Sequence, residues 1–222
     1  MDAIEREWYR RRASSITPVA HFFGILSIIL LLVWLLHYRG GLGLDSDNPY
    51  RILNVHIFLM FFGFIFFAGQ AMMVHKSINA EARMQKLTHM LMHVIAITLG
   101  IIGVYAAFKY HYKANVTNMY SLHSWIGLGT FIVYGIQWFF GFVTFWLPRP
   151  GATRARLAPW HVCFGRALLY FAICTAETGL MQLFTILKLA SSSEGRLINF
   201  TGLAILIFGI SVDLVIALSH YY

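Results

Sequence analysis

The sequence predicts an all-α membrane protein with six transmembrane helices, and three observations carry that prediction. Of 222 residues, 59% are hydrophobic and only 12% are charged, whereas a soluble domain of this size has roughly a quarter of its residues charged. The apolar residues gather into six runs, near 18–38, 52–74, 87–108, 121–147, 160–187 and 197–219. Each is long enough for a hydrocarbon core of about 30 Å, which takes about 20 helical residues to cross. Finally, the 17 Lys and Arg cluster at the ends of those runs. That placement is membrane topology rather than a nucleic-acid groove, so no nucleic-acid partner is expected despite the formal charge of +8. A disordered chain, a disulfide-stapled module and a cytosolic enzyme are excluded, and the short connections leave no second soluble domain.

Taken in order, residues 1–16 form a basic segment, with Arg10, Arg11 and Arg12 in a row. Trp8 and Tyr9 suit it to lie as a short helix on the bilayer surface. The first apolar run is too long for a signal peptide and ends at HYRGG without a small-residue cleavage site, so it reads as an uncleaved first span. Residues 17–222 then make one six-helix domain. Counting Lys and Arg by side sets the N-terminus, 75–86 and 148–159 (Arg6, Arg10, Arg11, Arg12, Lys76, Arg83, Lys86, Arg149, Arg154, Arg156) against Arg39, Arg51, Lys109, Lys113, Lys188 and Arg196. The excess puts both termini in the cytosol. No internal repeat stands out, and low complexity is limited to Ser191, Ser192 and Ser193. Cys163 and Cys174 lie in one run, roughly 16 Å apart along a helix, too far for a disulfide; they read as small apolar fillers. No CxxCH is present, which excludes covalent haem attachment.

Ten histidines are many for so apolar a chain, and an ionisable residue within a span is a functional hypothesis by default. His21, His37, His75 and His220 sit near span ends, where an interfacial imidazole is cheap. Four others form a pattern. His56 and His123 begin spans two and four on the non-cytosolic side, and His89 and His161 begin spans three and five on the cytosolic side. Antiparallel helices therefore bring one pair to each depth. Two imidazoles facing each other from different helices are what a bis-histidine haem needs, and two haems would make a stepping path across the membrane. A histidine-lined proton or metal pathway without haem, and buried structural imidazoles, fit the same positions. His93, one turn after His89, projects the same way and cannot supply its trans partner. It reads as a hydrogen-bonding neighbour, an alternative ligand, or half of a zinc site for which no HExxH or nearby Cys speaks.

At these residues the sequence resembles the cytochrome b561 family, the ascorbate-reducible transmembrane cytochromes, and its plant members most closely. The matching stretches are HYRGGLGLDSDN at 37–48, LNVH at 53–56, KLTH at 86–89, GVYAAFKYH at 103–111, NMYSLHSWIG at 118–127, GIQWFFGFVTFWLP at 135–148, PWHV at 159–162 and NFTG at 199–202. The resemblance implies that spans two to five form a four-helix haem-binding bundle with two non-covalent haem b groups. His56 and His123 would hold the non-cytosolic one, and His89 and His161 the cytosolic one. It further implies an ascorbate-dependent oxidoreductase of the ferrireductase or monodehydroascorbate reductase type, passing electrons from cytosolic ascorbate to a ferric chelate or monodehydroascorbate, and a homodimer. Vacuolar, plasma-membrane and vesicle members share these motifs. A haem protein that senses redox state without turnover remains an alternative. The chain departs from the pattern at Ile57, where relatives carry Pro, at Arg166, Glu177 and Asp213, and in TGLMQLF, which lacks an acidic–basic pair.

Ascorbate is an anion, so its site needs cations near the cytosolic haem. Lys86 and Arg154 match the family's ascorbate-contacting positions, and Arg83 and Arg156 could assist or hold haem propionates. On the other face His111 and Tyr120 match residues linked to the acceptor, and Tyr110 accompanies them or belongs to an aromatic belt. Lys109, Lys113, Arg39 and Arg51 would make that mouth basic. Ser121, Ser124 and Trp125 flank His123 as candidate tuning neighbours. Arg166 and Asp213 fall at matching depth on neighbouring antiparallel spans, so a contact between them is expected; the rival is Arg166 reaching a propionate.

Overall fold

In a computed structural model, which describes residues 3–78 and 80–219 (side chains from 13 to 218 apart from 76 and 79), six helices are long and apolar enough to cross a membrane. They are α1 (Ala13–Tyr38), α2 (Pro49–His75), α3 (Ala82–Ala114), α4 (Leu122–Trp146), α5 (Gly151–Ile186) and α6 (Ser193–Leu218). The connections at 78–81 and 147–150 lie at one end, termed inner. Those at 39–48, 115–121 and 187–192 lie at the other, outer, end.

Local chemistry sets the helix ends. Asn48 caps α2, its side chain accepting from the Tyr50 N–H, with Pro49 in the first turn where its missing N–H costs nothing. Ser121 caps α4 through the Ser124 N–H. Asn115 ends α3 in the left-handed region at φ 53°, which its short side chain tolerates. The backbone is one helix from Ala3 to Val33, so the N-terminal segment continues α1 instead of forming a separate surface helix; the side chains of Trp8, Tyr9 and Arg10 to Arg12 lie outside the described residues. So does His220. Helix α5 likewise begins at Gly151, about two turns before its apolar run. A helix need not stop at the hydrocarbon boundary, which is why hydropathy alone placed these starts too late.

Helices α1 and α6 pack along each other, α2 pairs with α3, and α4 with α5, while α3 and α4 barely touch. The core lies where α1, α2 and α6 meet, around Trp34, Phe61, Phe64, Ile205, Phe208 and Val212. Two polar clamps tie α6 in. At the outer end the buried Trp34 indole donates to Glu194 at 2.8 Å, and Arg39 lies 3.5 Å from the same carboxylate. Towards the inner end Arg166 holds Asp213 with both prongs, at 2.6 and 3.0 Å, and Tyr170 adds a bond at 2.7 Å. The expected Arg166–Asp213 contact is therefore present, and bidentate. It leaves Arg166 committed to α6. Glu177 gains no such partner: its Oε1 is buried without a hydrogen bond. Both described cysteines are free and exposed on α5, not packed as fillers.

Candidate functional site

Two cavities lie between the helix pairs, one near each end. The inner encloses about 370 Å³ and is walled by His75, Lys86, His89, His93 and His161 among apolar side chains. The outer encloses about 390 Å³, with His56, His123, Tyr110, His111, Tyr120 and Gln182 in its wall. Both fall within the range of small-molecule and cofactor sites.

The four patterned histidines meet in the expected pairs. His56 of α2 and His123 of α4 have ring centres 6.2 Å apart, and His89 of α3 and His161 of α5 stand 6.3 Å apart. A metal–imidazole bond is about 2 Å, so two rings trans on one metal have centres roughly 6 Å apart. Each ring is also anchored by its inner nitrogen. The Nδ1–H of His56 donates to the Gly103 carbonyl at 2.9 Å, that of His123 to Thr175 at 2.9 Å, and that of His89 to Ala71 at 2.8 Å. This fixes the tautomer with Nε2 unprotonated, the form a metal requires. His161 differs: its Nδ1 meets the Gln137 side-chain amide at 3.0 Å, and that amide also donates to the His161 carbonyl at 2.9 Å.

Two glycines make room for rings. A Cβ on Gly179 would lie 2.8 Å from His123 Cε1, and one on Gly141 would lie 2.9 Å from His161 Cε1. Any side chain there would push the imidazole out of line. Gly141 adjoins a wide π-helical stretch, Phe142–Trp146, and another, Leu59–Phe66, follows His56 in α2; such widened turns recur at functional sites. Largely apolar walls, ring spacing and a glycine cradle fit a flat bis-histidine cofactor at each end, and three of the four rings show the Nδ1–H tautomer it needs.

The remaining candidates divide. Lys86 lines the inner cavity, whereas Arg83, Arg154 and Arg156 stand exposed on the first turns of α3 and α5 and do not line it. Arg154 and Arg156 are therefore helical, not loop, residues. His75, read from sequence as an interfacial imidazole, is part of the inner wall. His93 takes the neighbour role: its Nδ1 bonds the Tyr134 hydroxyl, and its ring stands edge-on to His89 at 4.4 Å. At the outer mouth His111 Nδ1 bonds Asn118 at 3.0 Å and Tyr120 accepts from Gln182 at 2.6 Å. The mouth is less basic than expected. Lys109 is paired with Asp45 at 2.5 Å and Lys113 lies 3.7 Å from Asp47, while Arg51 turns to the Leu42 carbonyl. Lys109 holds the Asp45 carboxyl below its ordinary 3.8. Ser121 and Ser124 bond each other at 2.9 Å rather than His123.

A family model for eukaryotic cytochrome b561 matches residues 55–186, from the residue before His56 to the end of α5. The chain belongs to the eukaryotic cytochrome b561 family. Membership carries haem b binding with it. The chain is 41% identical over 208 residues to ascorbate-specific transmembrane electron transporter 1 of Zea mays, covering 90% of this chain and 88% of the relative. It is 40% identical over 211 residues to transmembrane ascorbate ferrireductase 1 of Arabidopsis thaliana, with 92% and 88% covered. A transmembrane ascorbate-dependent reductase of Mus musculus is 35% identical over 205 residues, with 89% and 80% covered.

The structure also links the HYRGG and LNVH segments. Gly40 and Gly41 adopt φ of 73° and 88°, which glycine alone enters freely. The turn they form aims the Arg39 and Gly41 carbonyls at the buried Asn54 amide, 2.9 and 2.7 Å away. Asn54 lies two residues before His56, so the motif seats the start of α2. Sequence reasoning missed Gln137, Gly141, Gly179 and Gln182. GIQWFFG was visible as a matching motif, but nothing in it said that the Gln and second Gly face a histidine on another helix.

Proposed function

We propose that this protein is an ascorbate-dependent transmembrane oxidoreductase. It takes electrons from ascorbate at the inner, cytosolic end and delivers them to an anionic acceptor, a ferric chelate or monodehydroascorbate, at the outer end. Both termini are cytosolic, as the excess of Lys and Arg on the inner side favours. One haem b sits in each cavity, on His56 and His123 outside and on His89 and His161 inside. The observation that carries this reading is the presence of two opposed, anchored imidazole pairs, one near each membrane face. The names of the relatives support the donor.

Bound haem b supplies a centre that takes up and releases one electron at a time. The chain's own residues do the rest. Backbone carbonyls of Gly103, Thr175 and Ala71 hold three ligand rings and raise their basicity. Gln137 would hold the fourth through its side-chain amide, which sits 3.0 Å from His161 Nδ1 and donates to the His161 carbonyl. Lys86 draws the ascorbate anion to the inner cavity, with Arg83, Arg154 and Arg156 adding attraction from the surface. His111, Tyr110 and Tyr120 line the way to the outer cavity, where their polar edges meet the acceptor. Between the cavities, Tyr134 of the inner wall and Phe64 of the outer wall touch edge-to-face at 4.8 Å, so the two walls meet at this ring pair.

The test is the visible spectrum and haem content of the purified protein. Two haem b per chain, reduced by ascorbate and reoxidised by ferric chelate, are expected. A haem-free protein would return the histidines to a proton or metal pathway. Ascorbate reduction without turnover on any anionic acceptor would leave a redox sensor.

A further inference from the structure

The inner cavity contains a polar group whose orientation is fixed but which the proposed function leaves unused. His75, at the inner end of α2, lies in the cavity wall together with Lys86, its ring centre 5.8 Å from that of His89. Its Nδ1 is 3.2 Å from Oε1 of Gln85, and the Gln85 amide nitrogen donates to the Ile78 carbonyl at 2.9 Å. The second bond decides the first. With the Gln85 N–H2 group committed to the carbonyl, its oxygen is the atom left for His75, and an oxygen can only accept. His75 Nδ1 therefore carries a proton, and in the neutral imidazole Nε2 presents the lone pair. Lys86, one residue after Gln85, brings a cation to the same wall. The cavity wall thus offers one hydrogen-bond acceptor beside one positive charge.

We infer that His75 is a donor-binding residue: its Nε2 accepts a hydrogen bond from a hydroxyl of the electron donor while Lys86 binds the donor's negative charge. The pair selects small anions that also carry an acidic hydroxyl, as an enediol does, and discriminates against reductants that have charge but no hydroxyl. Gln85 is a positioning residue that holds the acceptor tautomer. This inference rests on the inner cavity being the entry site for ascorbate, so its test must separate the two.

The experiment compares His75→Phe, His75→Asn and Gln85→Leu with the unaltered protein, each reduced by ascorbate and, separately, by dithionite, which has no hydroxyl hydrogen to donate. The Phe variant should need about tenfold more ascorbate for half-maximal reduction, as loss of one hydrogen bond to a charged ligand implies. Its titration with dithionite and its haem content should be unchanged. Asn, which retains an acceptor oxygen, should recover part of the loss, and Gln85→Leu should fall between the two. An unchanged ascorbate titration in His75→Phe would overturn the assignment. Equal loss with both reductants, or no recovery by Asn, would also overturn it, because His75 would then only support the fold or the haem. Failure of ascorbate to reduce the unaltered protein is a distinct result, and it falls on the proposed function.

Discussion

The inner and outer cavities enclose nearly equal volumes, about 370 and 390 Å³, and hold imidazole pairs at nearly equal spacing, 6.3 and 6.2 Å. Their surroundings are built differently. Both outer rings are anchored to main-chain carbonyls, which substitution cannot easily remove. Inside, His161 depends on the side chain of Gln137. The mouths differ further: among the described residues Lys86 makes no ion pair at the inner cavity, whereas at the outer end Lys109 is held by an aspartate of the 39–48 loop and Lys113 lies close to a second. The common part follows from antiparallel helix pairs, which deliver matched rings at both depths. The divergent part lies in short-range side-chain choices, which under the proposed function would suit one end to a donor and the other to an acceptor.

The comparison breaks most completely at the rings. His56→Ala or His123→Ala should remove only the outer haem and leave the inner one reducible by ascorbate. His89→Ala or His161→Ala should remove the inner haem and abolish fast reduction. Haem-to-protein ratios read this directly, and full occupancy in any of the four variants would withdraw that residue as a ligand. A step smaller, Gly179→Val and Gly141→Val should each displace one ring, His123 or His161, and lower occupancy at that end alone. Loss from both cavities together would mean that the glycines serve the fold.

Much of this was legible beforehand because it depends on period and side. Apolar runs gave six spans, and antiparallel alternation gave the His56–His123 and His89–His161 pairs. Matching depth gave Arg166–Asp213 before any contact was seen. What stayed hidden depends on where a helix face points after a wide turn or past the end of an apolar run. Arg154 and Arg156 read as loop cations but stand exposed on a helix that starts early. His75 read as a span-end residue, yet it lines the cavity, where Gln85 from across a connection meets its Nδ1. Nor could composition show that the basic outer mouth supplies its own counter-ions, since Asp45 is 64 residues from Lys109 and Asp47 is 66 from Lys113.

The inner mouth sharpens the contrast by rank. Lys86 lines the cavity, and a charge-assisted contact is worth about 1.5 to 3 kcal/mol. Lys86→Ala should therefore raise the ascorbate concentration for half-maximal reduction by roughly tenfold or more. Arg154→Ala, removing an exposed charge that does not line the cavity, should shift it by clearly less than tenfold. Equal shifts in the two variants would mean that the donor sits at the helix surface instead of in the cavity.

The smallest effect concerns the aspartates at the outer mouth. Asp45 is fully exposed, and its carboxyl lies below its ordinary 3.8 chiefly because Lys109 donates to it. A depressed acid contributes stability above its unfolded value, and that contribution is lost only as pH falls through the lower folded value. Around neutrality the loop tether should therefore not vary with pH, and charge removal is the way to probe it. Asp45→Asn frees Lys109 and makes the mouth more positive. Oxidation by an anionic ferric chelate should then speed up roughly two- to fivefold at low ionic strength, as electrostatic steering predicts. The gain should vanish near 1 M salt, where the screening length is about 3 Å. The same substitution leaves ascorbate reduction at the inner end untouched. Stopped-flow traces with donor and acceptor varied separately distinguish the two ends. A rate with chelate that does not respond to Asp45→Asn at any salt concentration would mean that the acceptor reaches the outer cavity away from the Lys109 side, past Tyr120 and Gln182.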